Sequence, residues 1–94
     1  MNRENILRGI VQLLPGNSAA VQRERILTAM RQLGGLTTFE MMRHLDCYDP
    51  RPRIHELRHR EGYDITTMMR AEETESGVFH RIGLYVLNPK RGQA

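Results

Sequence analysis

The sequence predicts an α+β domain: three helices form a core, a β-hairpin follows them, and an amphipathic helix precedes them. Three observations carry this. Apolar residues recur at helical spacing over residues 4–14 and 19–33. Asp49-Pro50 supplies strong helix-start chemistry ahead of an Arg-rich segment. Residues 64–71 and 78–87 are rich in Ile, Thr, Val, Phe and Tyr and flank a turn, Glu73-Thr74-Glu75-Ser76-Gly77.

Taken in order, residues 4–14 place Ile6, Leu7, Ile10, Val11 and Leu14 on one stripe, and Pro15-Gly16-Asn17 ends that helix. Ser18 is the expected N-cap of a helix over 19–33. Its inward face is Val21, Ile26, Leu27, Met30 and Leu33. Gln22, Arg23, Glu24, Arg25 and Arg31 are expected outside, and Gly34-Gly35 stops it. A Thr of Thr37-Thr38 caps a short helix over about 38–45, with Phe39, Met42 and Leu45 inward and Met41 beside them. Asp46-Cys47-Tyr48 makes a tight turn. The next helix runs from Pro50 to about Glu61, with Asp49 as N-cap and Gly62 as the residue after its end. The hairpin closes the domain, and Asn88-Pro89 ends its second strand.

A tri-helical core followed by a two-stranded wing is the winged helix-turn-helix plan, and the short connection between the helices at 38–45 and 50–61 suits its helix-turn-helix unit. The organisation expected is an amphipathic helix and linker at 1–17, the winged domain at 18–88 and a flexible tail at 89–94.

Ninety-four residues hold one modest core. The net charge is +3. Arg51, Arg53, Arg58 and Arg60 against Glu56 alone put that whole excess on residues 50–60. No apolar run is long enough to span a membrane, and the acid at Glu4 argues against a secretory leader. The single cysteine, Cys47, forms no internal disulfide, which fits a reducing cytoplasm. No nucleophile motif, phosphate loop or paired-carboxylate site is present, so neither enzymatic activity, a cofactor nor a small-molecule ligand is expected. His44-x2-Cys47 with His55-x3-His59 superficially resembles zinc spacing, but the four residues do not converge on these helices, and no metal is expected.

On the helix over 50–61, Ile54 and Leu57 define the inward side, with Arg58 next to it as a brace. The outer side and first turn supply the candidate base or groove contacts: Arg51, Pro52, Arg53, His55, Glu56, His59 and Arg60. Candidate phosphate contacts are Thr37, Thr38, Arg43, Arg70 and Arg81. The hairpin tip carries Glu72, Glu73 and Glu75, which phosphate repels, so the tip is not expected in a minor groove. His80 is expected to be partly buried.

The stretches Leu36-Thr37-Thr38, Asp49-Pro50 leading into Arg53-Ile54-His55-Glu56-Leu57-Arg58, Gly62 with Ile65, and Tyr85-Val86-Leu87 resemble the small winged helix-turn-helix proteins common in phages and prophages of enteric and related bacteria. The resemblance covers about residues 20–87 and implies a DNA-binding regulator.

Two readings stand for the stripe Ile6, Leu7, Ile10, Val11 and Leu14. It packs on the domain and covers the second apolar face of the hairpin, or it pairs with its twin in a homodimer that reads a two-fold site. The homodimer is favoured, because small regulators gain affinity from two half-sites. The function expected is a cytoplasmic phage or prophage transcriptional regulator that inserts the helix over 50–61 into the major groove of double-stranded DNA. The alternatives are a winged-helix protein-interaction module, using the stripe or the acidic wing, and an excisionase-like protein that bends DNA.

Overall fold

The computed structural model describes residues 2–89. The element order is α1 (Arg3–Leu13), α2 (Ala19–Leu33), β1 (Gly35–Thr37), α3 (Thr38–His44), α4 (Pro50–His59), β2 (Ile65–Glu73) and β3 (Phe79–Leu87). This is the α+β winged architecture expected, with one addition. The wing is a three-stranded antiparallel sheet in the order β1-β3-β2, not a two-stranded hairpin. β1 pairs with β3 in the register Leu36↔Tyr85. A three-residue strand is too short to show the alternation that marks a strand in sequence. From residue 90 on, the expected tail lies outside the described residues.

Each helix begins where local chemistry allows. The Asn2 side chain accepts from Asn5 N, and the Ser18 side chain from Val21 N. α3 starts with a capping box: Thr37 Oγ1 accepts from Glu40 N, and Thr37 N donates to Glu40 Oε1. Asp49 is the N-cap of α4, but its side chain makes no capping hydrogen bond. Pro50 there lacks an N–H, and its fixed φ suits the first helical position. Gly34 (φ 87°) ends α2 and Gly62 (φ 74°) turns the chain after α4, in a region of backbone space that glycine enters without strain.

The core collects Ile26, Leu27 and Met30 of α2, Met41 and Leu45 around α3, and Ile54 and Leu57 of α4, against Leu36, Ile65 and Tyr85 of the sheet. Two inward assignments change. Met41 fills the position expected of Met42, which is exposed, and His80 is exposed rather than partly buried. The Tyr85 side chain lies on Gly83, where an added Cβ would sit 3.1 Å from ring atoms Cε2 and Cζ and from the hydroxyl oxygen.

The helix α1 belongs to this same core. Leu7 and Ile10 are fully buried, and Ile6, Val11 and Leu14 pack against the cluster. The stripe expected to form a homodimer is therefore covered by its own chain. Full burial of an aliphatic side chain is worth about 1.5–3 kcal/mol, so each buried residue of α1 favours docking strongly. Arg3 fastens the helix start, donating to both carboxylate oxygens of Glu40 and to Gly35 O.

A second correction concerns Arg25, expected outside and found 1% exposed. Its guanidinium donates to Leu14 O at 2.8 Å, Gly16 O at 2.6 Å and Leu45 O at 3.3 Å. The turn after α1 and the end of α3 present carbonyls without helical partners, and one planar fork satisfies them.

Candidate nucleic-acid interface

The helices α3 and α4 are joined by a turn in which Asp46 has φ 53° and Cys47 N donates to Met41 O at 3.0 Å. Asp tolerates this left-handed conformation better than most residues. The turn buries the Cys47 side chain, and burial raises its thiol pKa. Ile54 and Leu57 then dock α4 and fix which of its side chains face outward.

The outward stripe is Arg51, His55 and His59, spaced i, i+4, i+8, with Pro52 alongside. All four are exposed, and the Arg51 side chain is 82% exposed. The His55 and His59 rings lie against each other with centroids 4.4 Å apart. Arg60 is exposed at the helix end.

Two residues of the expected outer face sit elsewhere. Glu56 and Arg53 turn toward α2, where Glu56 meets Arg23 Nη1 at 2.8 Å and Arg53 Nε at 2.9 Å. Arg23 also reaches Glu61 at 2.8 Å. The hydrogen bond from Arg23 lowers the Glu56 carboxyl pKa, with the Arg53 charge adding to the effect, and Glu56 in turn raises that of Arg23. These charges hold α4 against α2. Arg58 donates to Ile65 O at 2.9 and 2.7 Å and to Thr67 Oγ1, so it latches α4 to the root of the wing.

The candidate phosphate contacts also separate. Thr37 is buried and its hydroxyl caps α3. The Thr38 hydroxyl donates to Gly83 O at 3.4 Å. Arg43 pairs with Glu75 of the wing tip at 2.8 Å and stacks over Phe39. Cross-strand partners share a face, so the register sorts the rest. Arg70 pairs with Ile82 and lies on the wing face away from Tyr85, where it meets Glu72 at 2.9 Å. Arg81 lies on the Tyr85 face, the side of α4, and is exposed. A groove runs between α4 and this face, bounded by Arg51, Pro52, His55, Arg58, Thr67 and Tyr85. Among the described residues no cluster of His, Cys, Asp and Glu is arranged to hold a metal ion, and no helix is long and apolar enough to cross a membrane.

The acidic tip is partly neutralised, since Glu75 is held by Arg43 and Glu72 by Arg70. Sequence reasoning missed Arg23, Glu61, Arg3 and Glu40 as fasteners. Of these, only Glu40 carried a readable signal, its position three residues after Thr37.

A family model described as a winged helix-turn-helix domain matches residues 21–90. No curated protein and no solved structure matches.

Proposed function

The chain belongs to the winged helix-turn-helix domain family, and on that premise we propose that it binds double-stranded DNA as a transcriptional regulator of phage or prophage type. The observation that carries the reading is the exposed stripe Arg51, His55 and His59 on the second helix of the helix-turn-helix unit. Arg51 offers a fork to guanine or phosphate, and an imidazole offers a donor or acceptor to a base edge. Arg60 and Arg81 flank the stripe and supply phosphate contacts. Arg53 and Glu56 have a different part: they fix the angle of α4 on α2. The protein is read as a non-enzymatic factor acting in the cytoplasm, and its single cysteine agrees with that compartment.

A role as a protein-interaction module through the α1 stripe lacks a surface, because the domain core covers that stripe.

The test is selection of bound duplexes from random sequence, followed by binding to the selected duplex at several salt concentrations. The reading predicts a defined motif. It also predicts an affinity that falls with salt by about 0.9 log units per log unit of salt for each phosphate engaged. No enriched motif and no duplex binding at low salt would overturn it.

A further inference from the structure

The wing carries an open edge whose hydrogen-bond phase is fixed. Asn88 N donates to Asp64 O at 2.9 Å, and Thr74 N to Val78 O at 3.0 Å. In an antiparallel ladder, hydrogen-bonded and non-hydrogen-bonded pairs alternate. The even-numbered residues of β2 therefore bond inward to β3. The odd-numbered ones, Thr67, Met69, Ala71 and Glu73, turn their N–H and C=O groups outward. Arg58, which takes the outward Ile65 O, obeys the same phase. In the order β1-β3-β2, no strand lies beyond β2 among the described residues.

Edge strands are ordinarily protected by charged side chains, proline, a bulge or a covering element. β2 has no proline, its charged Arg70 and Glu72 are paired with each other, and its one-to-one register runs unbroken from Ile65↔Leu87 to Glu73↔Phe79, without a bulge. Arg58 covers only the root. Met68 and Met69 are about half exposed beside the open edge.

We propose that β2 pairs antiparallel with β2 of a second copy of this chain, about a two-fold axis at Ala71. The charge pattern selects this occupant and this register. Arg70 and Glu72 share one face and lie 2.9 Å apart. With the axis at Ala71, Arg70 stands opposite the partner's Glu72, and Glu72 opposite the partner's Arg70, a closed ring of alternating charge. The smallest side chain of the segment crosses the axis. The outward groups of Met69 and Ala71 meet those of the partner's Glu73 and the partner's Ala71, in phase for hydrogen bonding. An axis at Arg70 would set two like charges opposite each other, and an axis at Met69 would require Ile65, whose carbonyl Arg58 already holds. Arg43 keeps Glu75 drawn toward α3, away from this edge. The pairing joins two three-stranded sheets into one and does not depend on the duplex-binding reading.

The experiment is the mass of the full chain by light scattering across about 1–100 μM, the range of a weak self-association. The wild type is expected to pass from one-chain to two-chain mass. Arg70→Glu sets like charges opposite each other and is expected to weaken the dimer at least about tenfold. Arg70→Glu with Glu72→Arg reverses the ring and restores it. Met69→Pro removes an outward N–H without removing a bond to β3, and is expected to leave a single chain with the circular dichroism of the wild type. If that variant fails to fold, the charge-swap pair decides alone. A one-chain mass for the wild type at every concentration overturns the proposal, as does a dimer indifferent to Arg70→Glu.

Discussion

Arg23 of α2 and Glu56 of α4 meet at 2.8 Å, with side chains only 20% and 14% exposed. The helix that carries the chain's excess positive charge is thus held by its one acid, and the charge it presents outward is smaller than its sequence suggests. Arg53 serves the same carboxylate. Glu56→Ala is expected to lower the melting temperature and loosen α4, with hydrogen exchange faster over residues 50–59. Arg23→Ala should reproduce most of that loss, and the double variant should lose less than the sum of the two.

This cluster has a pH signature. The folded-state pKa of Glu56 lies below its ordinary value, chiefly through the hydrogen bond from Arg23. At Glu40 burial pushes the other way, but Arg3 and the Thr37 N–H outweigh it and the pKa is again lowered. The unfolded chain therefore takes up protons first as pH falls. The stability these carboxylates contribute is present above about pH 4.3, the ordinary glutamate value, and is lost as pH drops through the folded values. Thermal melts of Glu56→Gln should lie below the wild type at neutral pH and converge with it in acid.

Arg25 donates to three carbonyls from a site closed to solvent. Arg25→Met leaves those acceptors unpaired and should cost about 3 kcal/mol in urea unfolding. Arg25→Lys should recover only part of this, because an ammonium on a flexible stem does not reproduce the planar fork.

The helix α1 is tested by contrast. Leu7→Ala removes a fully buried side chain and should cost about 2–5 kcal/mol. Leu13→Ala, on the same helix but 80% exposed, should stay within about 0.5 kcal/mol of the wild type.

Much of the fold was legible in the sequence, for physical reasons. Ser18 and Gly34 bound α2 as their chemistry requires. Pro50 opens α4, and Ile54 and Leu57 point inward at helical spacing. What escaped depended on partners distant in sequence. Arg25 reads as surface on a helical wheel and is buried only because carbonyls 9, 11 and 20 residues away meet it. Glu56 and Arg53 read as groove contacts until Arg23, on another helix, is placed beside them. Arg70 and Arg81 look alike in sequence, yet strand alternation sets them on opposite faces of the wing. Arg58, read as a brace from its position beside the inward sector, is one.

Arg51, His55 and His59 are proposed to face the duplex, while Arg53 faces α2. The decisive measurement is duplex affinity and its salt dependence for Arg51→Ala with His59→Ala, beside Arg53→Ala, each at a temperature where the protein is folded. The stripe variant is predicted to lose about 1–3 kcal/mol of affinity for each base contact removed, or, where Arg51 meets a phosphate, to lower the salt slope by about one. Arg53→Ala should keep the salt slope of the wild type. A stripe variant that binds like the wild type, with Arg53→Ala losing both affinity and slope, would place Arg53 rather than the stripe at the duplex.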